Sequence, residues 1–154
     1  MSKRPSRFTP LHRHAGLIDF ENITYDSHAV ATCAVAEQML RHVRPVVDGM
    51  LTTLALQARL APIYLPILDG PWSQRWVPSE PDAADHELLR EAHHYVSLGV
   101  TDLVIVSGDG IFAQLSGHCR LHVFARRGRL SRSLRMAATS VTFLDLPIAP
   151  LKTA

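Results

Sequence analysis

The segment 101–106 limits the possible folds more than any other part of this sequence. Residues 103–106 are apolar at consecutive positions and rich in β-branched side chains, which favours a strand. Successive side chains of a strand point to opposite faces, so a strand that is apolar at every position must be buried on both faces. Such strands are typical of parallel sheets that carry helices on both sides. The segment therefore predicts an α/β fold around a mainly parallel sheet.

Hydrophobic patterns along the rest of the chain predict strands that alternate with helices. We expect five strands, at 15–20, 62–69, 101–106, 121–124 and 141–144. We expect helices at 29–41, 48–60, 85–96 and 130–138, with a short helical piece at 112–115. Ser27 is expected to cap the first helix and Pro45 to break or restart it. Residues 70–83 are expected to form a long loop. Trp72 and Trp76 would either pin this loop to the core or stack on bases, and pinning is favoured.

Length and composition indicate one domain. The chain has 154 residues, of which 47% are apolar and 19% charged, enough to bury a sizeable core. We expect a flexible basic arm at 1–14, a folded domain at 15–146 and a tail at 147–154. No apolar run is long enough for a membrane span and no signal peptide is recognisable, so we expect a cytoplasmic protein. Cys33 and Cys119 form no disulfide framework.

Polar residues follow two of the predicted strands at the points where these strands end. Asp19 and Asn22 close the first strand, Ser107 and Asp109 follow the third, and Asp85 starts the helix between them. If the two strands are neighbours, the three aspartates meet at the edge where such sheets bind ligands. Taken singly, each aspartate is better explained as a turn or helix-start residue. Their common placement makes them a candidate site.

Three carboxylates in one place repel one another, so such a site either raises a pKa or binds a cation. Hard oxygen ligands favour Mg²⁺ or Mn²⁺. Such an ion can bind a phosphodiester oxygen and generate the attacking hydroxide. Asn22 and Ser107 would orient the carboxylates or a metal-bound water. The pattern predicts a metal-dependent site held by Asp19, Asp85 and Asp109.

Three motifs stand in order along the chain. They read Gly16-Leu-Ile-Asp-Phe-Glu-Asn22, Ala84-Asp85 through Glu91, and Asp102-Leu-Val-Ile-Val-Ser-Gly-Asp109. They resemble, in that order, the opening strand, the acidic helix start and the Ser-Gly-Asp strand end of NYN domains, a branch of the PIN-like nuclease superfamily. The segments 130–134 and 142–145 are similar to the closing helix and strand of that family. The resemblance spans residues 15–146.

The resemblance implies a PIN-like three-layer sandwich with a mainly parallel five-stranded sheet. It also implies a ribonuclease that uses Mg²⁺ or Mn²⁺ and acts on single-stranded or structured RNA, without a membrane partner. Asp19, Asn22, Asp85 and Asp109 would be the catalytic residues. Glu91 would be a supporting acid, and a homo-oligomer is left open.

One position departs from the family pattern. Members commonly carry a second acid two residues after the aspartate of Ser-Gly-Asp, and this chain has Ile111 there. Loss of a carboxylate weakens metal binding, so the alternative is a catalytically degenerate module that binds RNA or a protein partner. A phosphatase using the same acids is disfavoured, because no Asp-x-Asp follows the first strand.

Arginines are concentrated between residues 120 and 135, a stretch that holds no acid. Arg126, Arg127 and Arg129 follow the fourth predicted strand, at the same sheet edge as the acids, and are expected to contact the RNA backbone. The alternative is a solvated arginine-rich face. His118 and His122 have the spacing of metal ligands, but no second cluster completes a zinc site, so chance is favoured.

Overall fold

The computed structural model describes residues 13–25 and 30–144. Six strands form one sheet in the order β3-β2-β1-β4-β5-β6, and every neighbouring pair is parallel. The strands are β1 (His14–Asp19), β2 (Leu51–Gln57), β3 (Ser73–Val77), β4 (Asp102–Val106), β5 (Arg120–Arg126) and β6 (Ser140–Leu144). The α/β fold with a parallel sheet is confirmed, and the number of strands is six rather than the predicted five.

Helices connect the strands. They are α1 (Phe20–Thr24), α2 (Cys33–Val47), α3 (Ala61–Tyr64), α4 (Ala83–Ser97) and α5 (Arg132–Ala137). In the part of the chain that the structure describes, three 3₁₀ helices span Ala58–Leu60, Leu65–Ile67 and Gly110–Gly117. Within the described ranges, no helix combines the length and apolar character needed to cross a bilayer.

Both faces of the sheet are buried, as the apolar run in β4 predicts. On one face Leu103 and Ile105 pack in a core cluster with Leu88 of α4. On the other face Val104 and Val106 pack with residues of α1 and α2. Alternate side chains of a strand thus pack into two separate cores, one on each face of the sheet, and both cores are needed to cover the sheet.

The helix predicted at 48–60 is wrong, because residues 51–57 form β2 in the interior of the sheet. The spacing of Leu51, Leu54 and Leu60 fits a helix as well as a strand. Residues 52–56 are all buried between β1 and β3, however, and burial on both faces outweighs the local pattern. Gly49, with a φ of +79°, makes the turn before the strand.

The strand predicted at 62–69 is also wrong, since this segment is helical. Pro62 lies in the first turn of α3 and Pro66 in the first turn of the following 3₁₀ helix. A first-turn backbone N–H has no partner within its helix, so a proline costs little there. The two prolines disfavour a strand but are compatible with the first turns of two helices.

The loop predicted at 70–83 contains the edge strand β3, which pairs with β2. Trp72 is partly buried, donates from Nε1 to the carbonyl oxygen of Leu68 at 2.8 Å, and packs on the core, as pinning requires. Trp76 is 52% exposed, so the pinning role is wrong for it.

The first long helix begins and ends later than the predicted 29–41. It starts at Cys33, where the side chain of Thr32 accepts from the backbone N–H of Val35. It continues past Pro45 to Val47, because Val43 and Val47 are both fully buried. The predicted Ser27 cap lies outside the described residues, as do residues 1–12 of the predicted arm and the predicted tail.

Candidate metal centre

The ends of β1 and β4 lie side by side at the centre of the sheet. These strands are parallel neighbours, with Ile18 opposite Val106. The chain runs outward from this pair in both directions, since β2 and β3 follow on one side and β5 and β6 on the other. In doubly wound sheets this reversal of strand order opens a crevice at the carboxyl ends of the strands. The residues after β1 and β4 therefore lie where a ligand is expected to bind.

Asp19 is the last residue of β1 and is only 4% exposed. Its side chain caps α1 through the backbone N–H of Asn22 at 3.5 Å. Its Oδ2 accepts a hydrogen bond of 3.1 Å from the hydroxyl of Ser107. The carboxylate is thus held from its own turn and from the neighbouring strand end.

Asn22 and Ser107 tie the two strand ends together. The side-chain oxygen of Asn22 accepts from the backbone N–H of Gly108 at 2.9 Å. The hydroxyl oxygen of Ser107 accepts from the backbone N–H of Asp109 at 3.1 Å. Ser107 thus contacts the carboxylate of Asp19, and the side chain of Asn22 holds the backbone of the turn that carries Asp109.

Asp109 begins the 3₁₀ helix that follows β4. Its Oδ1 accepts from the backbone N–H of Ile111 at 3.0 Å, so it serves as the N-cap. This confirms the turn role for Asp109, and its carboxylate nevertheless lies beside those of Asp19 and Asp85. The structural and the functional interpretations are therefore compatible at this residue.

Asp85 lies in the first turn of α4 and is 8% exposed. The helix begins directly after Asp82, whose φ of +60° is left-handed, a conformation that aspartate tolerates better than most residues. Ala84 and Leu88 then pack in the core, which fixes the start of the helix against the sheet.

The three aspartates form one group, which we call the aspartate cluster. One carboxylate oxygen of each lies within 4.8 Å of the others. Burial and the adjacent charge of Asp85 raise the pKa of Asp19 well above its ordinary value. Burial and the charge of Asp109 raise the pKa of Asp85 to about 6. The sequence predicts the repulsion between the carboxylates, which is the second cause of each shift after burial, and a bound cation would offset this repulsion.

The aspartate cluster lines a cavity of about 330 Å³, which we call the acidic cavity. Six acidic residues and one arginine line it, together with Asn22, Tyr25, Gln57 and two alanines. The acids beyond the aspartate cluster are Glu21, Glu80 and Asp82, and the arginine is Arg129. These three acids and the residues Tyr25 and Gln57 were missed by the sequence analysis.

Glu21 had the clearest signal among the missed acids, because it stands between Asp19 and Asn22 in the first motif. Its Oε1 is buried without a hydrogen-bond partner among the described residues. Burial raises the pKa of Glu21, although a hydrogen bond from the backbone of Gln57 and the charge of Arg59 oppose the rise. Glu21 thus adds a further oxygen donor to the cavity wall.

Glu91 does not line the acidic cavity. It lies six residues after Asp85, about 9 Å further along the helix axis. Its carboxylate pairs with Arg75 of β3 at 3.3 Å. The structure therefore places the predicted supporting acid in an ion pair on the sheet surface.

The three predicted RNA-backbone arginines lie at the same sheet edge as the acids but in different surroundings. Arg129 lines the acidic cavity. Arg126 donates from Nη1 to the carbonyl oxygen of Tyr25 at 3.0 Å. The guanidinium of Arg127 lies 4.9 Å from the ring centre of Phe143, beside β6.

A second polar cluster lies at the opposite edge of the sheet. Asp102, the first residue of β4, accepts from Arg120 at 2.8 and 2.9 Å and contacts His122 Nε2 at 2.8 Å. Burial alone would raise the pKa of Asp102, but the hydrogen bonds from Arg120 and His122 outweigh it and lower the pKa. This partner for His122 agrees with a structural role rather than a zinc site.

No protein-family model matches this sequence, and no curated protein matches it. Among solved structures, the chain is similar to a protein of unknown function from Vibrio parahaemolyticus RIMD 2210633. The two share 18% sequence identity with a TM-score of 0.57, over 86% of this chain and 92% of the other. A likeness at this level of identity shows the fold alone, so any functional conclusion depends on the residues of the acidic cavity.

Proposed function

We propose that this protein is a metal-dependent ribonuclease that cleaves phosphodiester bonds of single-stranded RNA. The observation that carries the proposal is the aspartate cluster, in which one carboxylate oxygen of each residue lies within 4.8 Å of the others at the carboxyl ends of β1 and β4. Two of these acids are buried with raised pKa values, a costly arrangement unless a cation is bound.

The donor set fits Mg²⁺ or Mn²⁺. All three candidate ligands are carboxylates, and among the residues that the structure describes neither histidine nor cysteine lines the acidic cavity. Hard divalent cations prefer oxygen ligands, whereas zinc sites in proteins usually include nitrogen or sulfur. Asp19, Asp85 and Asp109 would hold the ion. When bound, such an ion supplies a Lewis acid for the phosphoryl oxygens and lowers the pKa of a coordinated water.

The residues around the aspartate cluster have distinct tasks in this proposal. Ser107 fixes the carboxylate of Asp19 by a hydrogen bond, and Asn22 joins the two strand ends through the backbone N–H of Gly108, so that the ligands need little reorganisation on binding. Arg129 lies at the wall of the cavity and is suited to contact a phosphate of the substrate. Arg126 and Arg127 extend the positive charge along the same edge of the sheet.

We further propose that the domain is PIN-like, as its resemblance to NYN domains implies. The first turn after β1 reads Asp19-Phe-Glu-Asn22 and contains no glycine. A dinucleotide-binding sheet of the same strand order carries a glycine-rich phosphate loop there. Acids in that turn support metal-dependent phosphodiester chemistry over the binding of a dinucleotide.

The experiment is an RNA cleavage assay with a matched pair of aspartate variants. The purified chain is incubated with single-stranded RNA in Mn²⁺, in Mg²⁺ and in EDTA. We expect cleavage that requires the metal and is lost in Asp109→Asn. Asp48→Asn removes an exposed acid at the end of α2, outside the cavity, and should cleave like the wild type. Cleavage that survives both EDTA and Asp109→Asn would refute this mechanism.

The second candidate function is a catalytically degenerate PIN-like module that binds RNA or a protein partner. The position of Ile111 favours it. Ile111 stands where the family commonly has an acid, and it packs against the apolar core beside α4 instead of lining the acidic cavity. On this alternative the native protein retains RNA in a salt-sensitive way without cleaving it, and Ile111→Asp produces a large gain in cleavage.

A further inference from the structure

Tyr25 differs from the other two tyrosines of the chain. Tyr64 and Tyr95 are 1% and 6% exposed, and their hydroxyl groups form hydrogen bonds of 2.6 Å with Ala31 and Thr53. Both belong to the cores. Tyr25 is only partly buried and lines the acidic cavity next to the aspartate cluster. A structural role accounts for Tyr64 and Tyr95 but leaves the exposed part of Tyr25 unexplained.

The side chain of Tyr25 is held at a fixed place on the cavity wall. Its backbone N–H donates to Glu21 at 2.8 Å at the end of α1, and its carbonyl oxygen accepts from Arg126 at 3.0 Å. One side of the residue packs against the core below the sheet. The hydroxyl oxygen lies 3.5 Å from Nη2 of Arg59. A ring fixed in this way loses little conformational freedom when a flat ligand binds to it.

Charged residues of both signs surround Tyr25, so an uncharged contact such as base stacking would add to substrate binding without repulsion. Six acidic residues line the cavity, and they repel the phosphates of a nucleic acid until a cation is bound. Arg59 and Arg126 contact the tyrosine and attract the same phosphates. An aromatic side chain that lines an acidic cavity and contacts two arginines suits a ligand that combines phosphate with an uncharged flat ring.

We propose that Tyr25 is a stacking platform for the unpaired base that adjoins the scissile phosphate. This inference rests on the proposed function and names the substrate class of the same site, which is single-stranded RNA with accessible base faces. Stacking on an aromatic side chain tolerates any base, because every base has a π face. Paired bases are already stacked within their helix, so a duplex of the same sequence is a poor substrate.

Steady-state cleavage kinetics of four proteins test the platform. They are the wild type, Tyr25→Phe, Tyr25→Leu and Tyr25→Ala, each with a single-stranded RNA and with an abasic oligomer of the same length. We expect Tyr25→Leu and Tyr25→Ala to raise KM for the RNA about 10-fold while kcat stays within about 2-fold of the wild type. Tyr25→Phe keeps the ring and should behave like the wild type. On the abasic oligomer the four proteins should have equal KM values.

Tyr25→Leu is the decisive variant, because leucine preserves the apolar packing against the core and removes the aromatic face, and Tyr25→Phe controls for the loss of the hydroxyl contact with Arg59. A wild-type KM for Tyr25→Leu, or an equal loss on the RNA and on the abasic oligomer, would overturn the platform and leave the nuclease proposal intact. Fluorescence anisotropy of labelled RNA, in Mg²⁺ and in EDTA, distinguishes RNA binding from cleavage. Tyr25-dependent binding without cleavage in any metal would support the platform and refute the nuclease, and absence of RNA binding both with and without Mg²⁺ would overturn both.

Discussion

Ser107 donates a hydrogen bond of 3.1 Å to Oδ2 of Asp19, although 88 positions separate the two residues in the chain. The contact exists because β1 and β4 are neighbours, and it connects the two turns that carry Asp19 and Asp109. A fully buried hydroxyl thus fixes the most buried acid of the aspartate cluster.

Replacing Ser107 with alanine tests the importance of this contact. It removes a donor to a buried carboxylate, so we expect the free energy of unfolding to fall by about 1–3 kcal/mol. Affinity for Mn²⁺ should fall about 10-fold, because an outer-shell partner of a ligand is lost. Chemical denaturation and calorimetric titration measure the two effects. Ser97→Ala, which removes an exposed hydroxyl bonded within its own helix, should change neither.

The raised pKa of Asp85 gives the metal-free protein a defined pH dependence. The folded-state pKa is about 6 against an ordinary value of 3.8, so between these values the folded state binds more protons than the unfolded state. The contribution of Asp85 to stability is therefore highest below about pH 4 and is lost as the pH rises through about 6.

Thermal unfolding of the wild type and of Asp85→Asn across this range isolates the effect. We expect the wild type to lose stability relative to Asp85→Asn as the pH rises from about 4 to 7. Saturating Mg²⁺ should restore the stability of the wild type at neutral pH and have little effect on the variant. A difference between the two proteins that is constant over the whole range would contradict this prediction.

Gly108 is the second residue for which a substitution has a definite expected cost. A Cβ atom there would lie 1.8 Å from the carbonyl oxygen of Arg129, and this neighbour is backbone, which cannot turn aside. The amide of Ser131 donates to the carbonyl oxygen of Gly108 at 2.9 Å, so the two loops are packed directly together.

We therefore expect Gly108→Ala to destabilise the fold by about 3 kcal/mol or more, because the loop that carries Arg129 has to move. RNA cleavage should fall as Arg129 leaves the cavity wall. Gly117→Ala is the matched control, since a Cβ at that position meets nothing within 4 Å. Equal melting temperatures for the two variants would show that the loop adjusts without cost.

Substitution of Asp102 is expected to affect stability without affecting the metal site. Asp102 lies at the other end of β4 from Ser107, about 16 Å away. Asp102→Asn breaks the interaction with Arg120, whose side chain is 56% exposed and therefore well screened. We expect a loss of about 1–2 kcal/mol in the free energy of unfolding. Mn²⁺ affinity should not change. Glu37→Gln, which breaks the exposed pair with Arg41, should cost almost nothing.

The centre of the fold was predictable because its signals are unambiguous. The apolar run 103–106 requires burial on both faces of a sheet, and the acids that follow the first and third predicted strands mark the edge where ligands bind. The two errors at 48–60 and 62–69 have one physical cause. Local spacing does not distinguish a buried strand from an amphipathic helix when leucine and alanine dominate, and only the neighbours β1 and β3 decide the outcome for β2.

The aspartate cluster was predictable for the same reason, since strand ends and a helix start determine its position. The remaining wall of the acidic cavity was not. Tyr25 directly follows α1 and Gln57 is the last residue of β2, and this strand was itself predicted wrongly as a helix. The position of Glu91 was predicted wrongly for a different reason. Its spacing from Asp85 matches the motif, but the spacing does not reveal that Glu91 pairs with Arg75 outside the acidic cavity.

The strand order divides the aspartate cluster between two halves of the chain. Asp19 belongs to the half that contains β1, β2 and β3, and Asp109 follows β4 in the other half, which Asp85 also joins through α4. Residues 78–82, between β3 and α4, are exposed. A single proteolytic nick there would leave each fragment with an incomplete set of carboxylates. Metal binding would then report the reassociation of the fragments, which makes this segment a natural place to split the protein into two complementing pieces.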